Sequence, residues 1–136
     1  IFDFFYQIFC RFCEKHGIEH EAIYRSAINV SYAVEGFETY EPHVDHTADH
    51  KVFILYLNDM PEDGNKSNTI VYKEKYSDVG KSVLDLSQDA DRIKKLTIEQ
   101  EVHPKLGRAF YFDNNFHNVR MSTPGHLRYV CVFTFC

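Results

Sequence analysis

The chain begins with a helical stripe. Ile1, Phe5, Ile8 and Phe12 recur at steps of four and three residues, with Phe2 and Phe9 alongside, so one broad helix face is apolar. Gly17 supplies a residue suited to the left-handed turn that ends such a helix. Two-residue alternation then takes over. Ile28-Asn-Val-Ser-Tyr32-Ala-Val34 alternates as a strand, Gly36 breaks it, and Tyr40-Glu-Pro-His43-Val-Asp45-His46 starts another. Lys51 to Asn58 is nearly continuously apolar, the pattern of a strand covered on both faces. The stretch from Met60 to Asn68 holds Pro61, Asp63, Gly64 and Asn65, which is turn chemistry. Thr69–Tyr72, Leu106–Phe112 and Leu127–Phe135 complete the strands. Residues 73 to 101 are polar and read as an excursion outside the core, with a short helix around Asp89 to Leu96; such excursions often serve as lids.

Six or seven short strands follow one helix, with too little helix between them for βαβ units. The expected class is mainly β with a flanking helix (α+β), arranged as an antiparallel double-sheet barrel of jelly-roll type, a double-stranded β-helix. A length of 136 residues suits one domain, 1–136, with room for a core. Ile1 lies inside an apolar run with no initiator Met, so the chain reads as an N-terminally truncated fragment, with any targeting segment out of view. A cytoplasmic setting is the expectation.

Composition narrows the partners. A net charge of −5 argues against a general nucleic-acid binder, which carries a basic face. No apolar run approaches the ~20 residues needed to span a bilayer, so no membrane partner is expected. Four Cys are too few for a disulfide scaffold at this length. Cys10 and Cys13 form a C-x-x-C without the second pair of a zinc site or the strand-to-helix setting of a redox motif. Reduced thiols are expected.

The candidate chemistry is His43-Val44-Asp45. On an alternating strand His43 and Asp45 point the same way and Val44 the other. Alone, the pair equally suits a surface turn with a local hydrogen bond. A third ligand from a distant strand would complete a 2-His-1-carboxylate face with open metal positions, the pattern of non-haem Fe(II) oxygenases. Arg128 shares one face of the last strand with Val130, Val132 and Thr134, which places it either in a cavity or on a rim.

Four segments in order then resemble the Fe(II)- and 2-oxoglutarate-dependent dioxygenases, on the prolyl 4-hydroxylase-like side: Tyr40-Glu-Pro-His-Val-Asp45, Ile54-Leu-Tyr-Leu-Asn58, Phe116-His-Asn-Val119 and Leu127-Arg-Tyr129. The similarity runs from about Ile28 to Phe135. It implies His43, Asp45 and His117 as iron ligands, with Arg128 gripping the distal carboxylate of 2-oxoglutarate and the Tyr56 hydroxyl supporting it. Tyr32 is implied near the metal-proximal carboxylate or the substrate, and Tyr40 at the entrance. Retention of Asp45 resembles the hydroxylases, since related halogenases carry a small residue there. The remaining histidines (16, 20, 46, 50, 103 and 126) match no ligand position and read as surface or loop residues. Some features depart from the family. No paired glycines precede Thr69, residues 73–101 match no known substrate lid, and Val132 stands where some relatives have Thr.

The resemblance implies hydroxylation of a C–H bond, using Fe(II), 2-oxoglutarate and O2 with ascorbate as a stimulant. The first substrate it suggests is a prolyl residue of a peptide or protein; a free amino acid or another small metabolite is the alternative. Two other classes compete. A non-catalytic cupin-like module wants His-x-His followed by Glu, which this chain lacks. A mononuclear zinc hydrolase would use His and Asp but leaves Arg128 without a role.

Overall fold

The computed structural model describes residues 1–75 and 96–136. One helix, α1 (Phe2–His16), precedes seven strands: β1 (Ile23–Ser31), β2 (Lys51–Tyr56), β3 (Thr69–Lys75), β4 (Ile98–Val102), β5 (Ala109–Asp113), β6 (Asn115–Val119) and β7 (Arg128–Phe135). They form two antiparallel sheets, ordered β1-β7-β2-β5 and β4-β3-β6. The protein is mainly β with one helix. No described helix is long and apolar enough to cross a membrane.

α1 ends where its sequence says it should, at Gly17 with φ 64°. Its deepest residue is Phe9, fully buried, stacked on Phe133 at 4.8 Å and edge-on to Phe53 and Phe135. Leu55, Cys131 and Cys13 complete that cluster. The other face of β2 and β7 builds a second cluster, in which Val52, Ile54, Tyr56, Val130 and Val132 meet Val71 of the opposite sheet. β2 is thus covered on both sides, as its continuous apolar run predicts. All four cysteines are free, and burial pushes the Cys131 thiol up to about 11, which keeps it protonated and unreactive.

Several expectations are corrected. The first strand runs from Ile23 to Ser31 rather than from Ile28 to Val34. Tyr40 to His46 forms no strand; two isolated bridges, Thr39 with Arg120 and His43 with His117, tie this segment to β6 and the residue after it. Pro42 interrupts the run of donors that a ladder needs. Val44 turns away from its neighbours as expected, yet is buried in a third cluster with Ile70, Tyr72 and Phe116. Part of the supposed excursion belongs to the sheets: residues 73–75 continue β3, and β4 is a largely exposed edge strand. The helix expected around 89–96 lies outside the described residues, apart from Leu96, which packs against the third cluster.

β5 and β6 are separated only by Asn114, yet lie in different sheets. The chain turns this corner with the Asn114 amide donating to Asp49 at 3.1 Å. That corner brings His117 onto the second sheet, opposite the segment carrying His43.

Candidate metal centre and anion pocket

His43 and His117 exchange both backbone hydrogen bonds, each at 2.9 Å. A hydrogen-bonded antiparallel pair sets its two side chains on one face, and the imidazole rings lie 4.4 Å apart. Asp45, two residues on, joins them. Its Oδ1 is 3.4 Å from Nε2 of both histidines, and one ligand atom from each of the three residues falls within 4.8 Å of the others. Two donors at right angles on one ion, each about 2.1 Å from it, sit about 3 Å apart. The observed spacing is close to that.

Tautomers decide what this cluster wants. Nδ1 of His43 lies 3.1 Å from the Glu41 carbonyl, and Nδ1 of His117 lies 3.1 Å from the Asn115 carbonyl. A carbonyl only accepts, so each Nδ1 carries the ring proton and each Nε2 presents a lone pair. Two lone pairs and a carboxylate oxygen therefore converge. Three acceptors facing one another can hold a cation between them, and backbone partners that fix the outer nitrogen are the usual support of a metal-ligating histidine. Burial pulls His117 below its ordinary value, making it a poor host for a proton. Burial pulls on His43 as well, but Asp45 and the Glu41 carbonyl outweigh it and raise the group. The same two imidazoles hold Asp45 far below the carboxylate range against its burial. The donor set of two neutral imidazoles and one carboxylate suits a divalent transition metal. Thr134 fixes the remaining carboxylate oxygen, donating to Oδ2 at 3.2 Å.

These residues line a cavity of about 170 Å³, which also reaches Arg128. The Arg128 side chain is 2% exposed. Nη2 donates to Thr69 Oγ1 at 2.6 Å and Nη1 to Ser31 Oγ at 3.4 Å, while Nε has no partner among the described residues. Its guanidinium lies 5.1 Å from the centre of the Tyr56 ring. Among the described residues no carboxylate pairs with it. Burial lowers its affinity for the proton, with Tyr56 opposing. Tyr56 donates to the Val102 carbonyl at 2.8 Å and meets Thr69 Oγ1 at 2.7 Å. A phenol has one proton, so Thr69 donates to Tyr56 and accepts from Arg128.

Tyr32 is not in the cavity. It is 57% exposed, as are Ile28 and Val30 to nearly the same degree. β1 pairs Ser31 with Arg128 and Asn29 with Val130, so its odd-numbered residues face inward. Ile28 and Val30 lie instead on the helix side of the sheet, paired with Cys131 and Tyr129, where α1 leaves them exposed. Tyr40 is likewise committed elsewhere, its hydroxyl donating to the Tyr32 carbonyl at 2.8 Å. His50 is a further correction: it is buried, with Nδ1 against the Ala48 carbonyl at 2.7 Å. Alternation could have found Ser31 and Thr134, but only the register shows which faces turn inward.

Two larger surface clefts, of about 390 and 600 Å³, open near His50 and His103. Neither holds a converging ligand set among the described residues. No protein-family model matches the chain, and no curated protein matches it.

Proposed function

We propose that this chain is an Fe(II)- and 2-oxoglutarate-dependent dioxygenase of the prolyl 4-hydroxylase-like kind, a single domain built as a double-stranded β-helix barrel. The observation that carries this reading is Arg128, a buried guanidinium without a described carboxylate partner, in the same cavity as three converging acceptors. An unpaired buried cation is costly, and a dicarboxylate entering the cavity would relieve it with a two-pronged contact.

In this reading His43, Asp45 and His117 hold the iron, and Arg128 with Ser31 and Thr69 receives the distal carboxylate. Bound there, the iron and its co-substrate supply the oxidative chemistry, in which 2-oxoglutarate and O2 yield succinate, CO2 and a hydroxylated C–H carbon. The chain positions and encloses. The Glu41 and Asn115 carbonyls hold the two imidazoles, Thr134 orients the carboxylate, and Val52, Ile54, Val130 and Val132 form apolar walls that limit water. A prolyl residue of a peptide or protein is the first substrate to try, and a free amino acid or other metabolite the second.

The test is succinate release from 2-oxoglutarate with Fe(II) and ascorbate, with Zn(II) in place of iron as the control. Release with iron alone, reduced by at least tenfold at limiting 2-oxoglutarate in Arg128→Ala, is the expected result. Binding of 2-oxoglutarate without any succinate would replace this reading with a non-catalytic ligand-binding module. Hydrolytic turnover supported by zinc would replace it with a hydrolase.

A further inference from the structure

A second guanidinium faces the same cavity. Arg25 lies on β1 across from Thr134, the residue that holds Asp45, so it stands at the metal end while Arg128 occupies the far end. The β1 ladder slips one residue between Ile23 and Arg25. Such a bulge re-aims the side chains around it and is common beside active sites. Nη2 of Arg25 donates to Asn29 Oδ1 at 3.2 Å, and Asn29 also lines the cavity. No acidic side chain among the described residues pairs with Arg25.

The charges then count in one direction. Among the described residues, Asp45, Arg25 and Arg128 are the formally charged side chains lining the cavity, histidines counted neutral. A divalent metal adds two positive charges and 2-oxoglutarate removes two. One guanidinium is left over, at the mouth, in a protein of net charge −5. We infer that Arg25, steadied by Asn29, is the anchor for a carboxylate on the substrate, and that it selects acidic substrates over neutral ones. This rests on the dioxygenase reading above. A guanidinium offers paired donors to a carboxylate in a geometry that an amide cannot reproduce. The carboxylate could be the α-carboxylate of a free amino acid or an acidic side chain within a peptide.

Isothermal titration into protein loaded with Zn(II) and saturated with 2-oxoglutarate takes turnover out of the readout. One set of probes is the free L-amino acids, each against its own amide. The other is capped peptides with a central Pro flanked by Asp, each against its Asn twin. At least one carboxylate probe should bind tenfold or more tightly than its neutral twin, and the set it belongs to identifies the source. Arg25→Gln should bring that preference below threefold, Arg25→Lys should retain part of it, and Lys66→Gln, a surface charge removed elsewhere, should keep it all. If no carboxylate probe outbinds its twin tenfold, or if Arg25→Gln keeps the preference, Arg25 is not the anchor. Failure of the dioxygenase reading shows separately, as no saturable binding of 2-oxoglutarate in the loading titration; the preference is then read on the Zn(II) protein alone.

Discussion

On the helix side of β2 and β7, Phe53, Leu55, Cys131, Phe133 and Phe135 meet Phe9 of α1 in an apolar cluster. One residue along the same strands, the other side presents Arg128 and Thr134 among Val52, Ile54, Val130 and Val132. The two sides share a backbone, hydrogen bonds and register, and differ only in what they face. The helix side is held by apolar burial, which needs no partner of particular shape. The cavity side holds polar groups whose partners are incomplete, and it gains most from a bound ligand.

Mutations should separate the two sides. The largest effect belongs to the helix side: Phe9→Ala removes a fully buried ring and should cost about 3–5 kcal/mol in chemical denaturation, while what remains folded still binds 2-oxoglutarate with unchanged affinity. Arg128→Met should do the reverse. Replacing an unpaired buried cation by an apolar chain leaves stability equal or higher, while affinity for 2-oxoglutarate falls at least tenfold, since each charge-assisted contact is worth roughly 1.5–3 kcal/mol. A variant that loses both stability and affinity together would blur the contrast.

Helix and core strands were readable because their apolar periodicity points at apolar neighbours. Phe9, Phe53 and Phe133 obey that rule. β1 breaks it: Ile28 and Val30, with Tyr32 just past its end, alternate correctly but are exposed, so the rule returns the wrong side of the strand. β6 was hidden for a related reason, being built from the buried polar residues Asn115, His117 and Asn118. His43, Asp45 and His117 stood out by residue type and order along the chain. The supporting groups Ser31, Thr69 and Thr134 did not, since a lone hydroxyl carries no pattern until the strand register assigns its neighbour.

Smaller changes sharpen the division within the cavity. Thr134→Val removes the hydrogen bond to Asp45 and should weaken metal binding about tenfold, in line with the loss of a group supporting a ligand; Thr134→Ser should restore most of it. Equilibrium competition against a chelator reads this directly. Tyr56→Phe leaves Thr69 and the Val102 carbonyl each short of a partner. A loss of about 1 kcal/mol in the free energy of urea unfolding is expected, with metal affinity unchanged.

The segment carrying His43 and Asp45 is not a strand of either sheet. It is stitched to β6 and the residues after it by a short seam: the paired bonds of His43 with His117, Tyr40 to Val119, and Met121 to Glu38. Although Val44 anchors it in the third cluster, the seam is short, so in the free protein its amides should open more readily than those of the sheets. A metal held by residues on both sides would act as a cross-link between two stretches far apart in the sequence. The His43 and His117 amides should then exchange with solvent more slowly than in the metal-free protein.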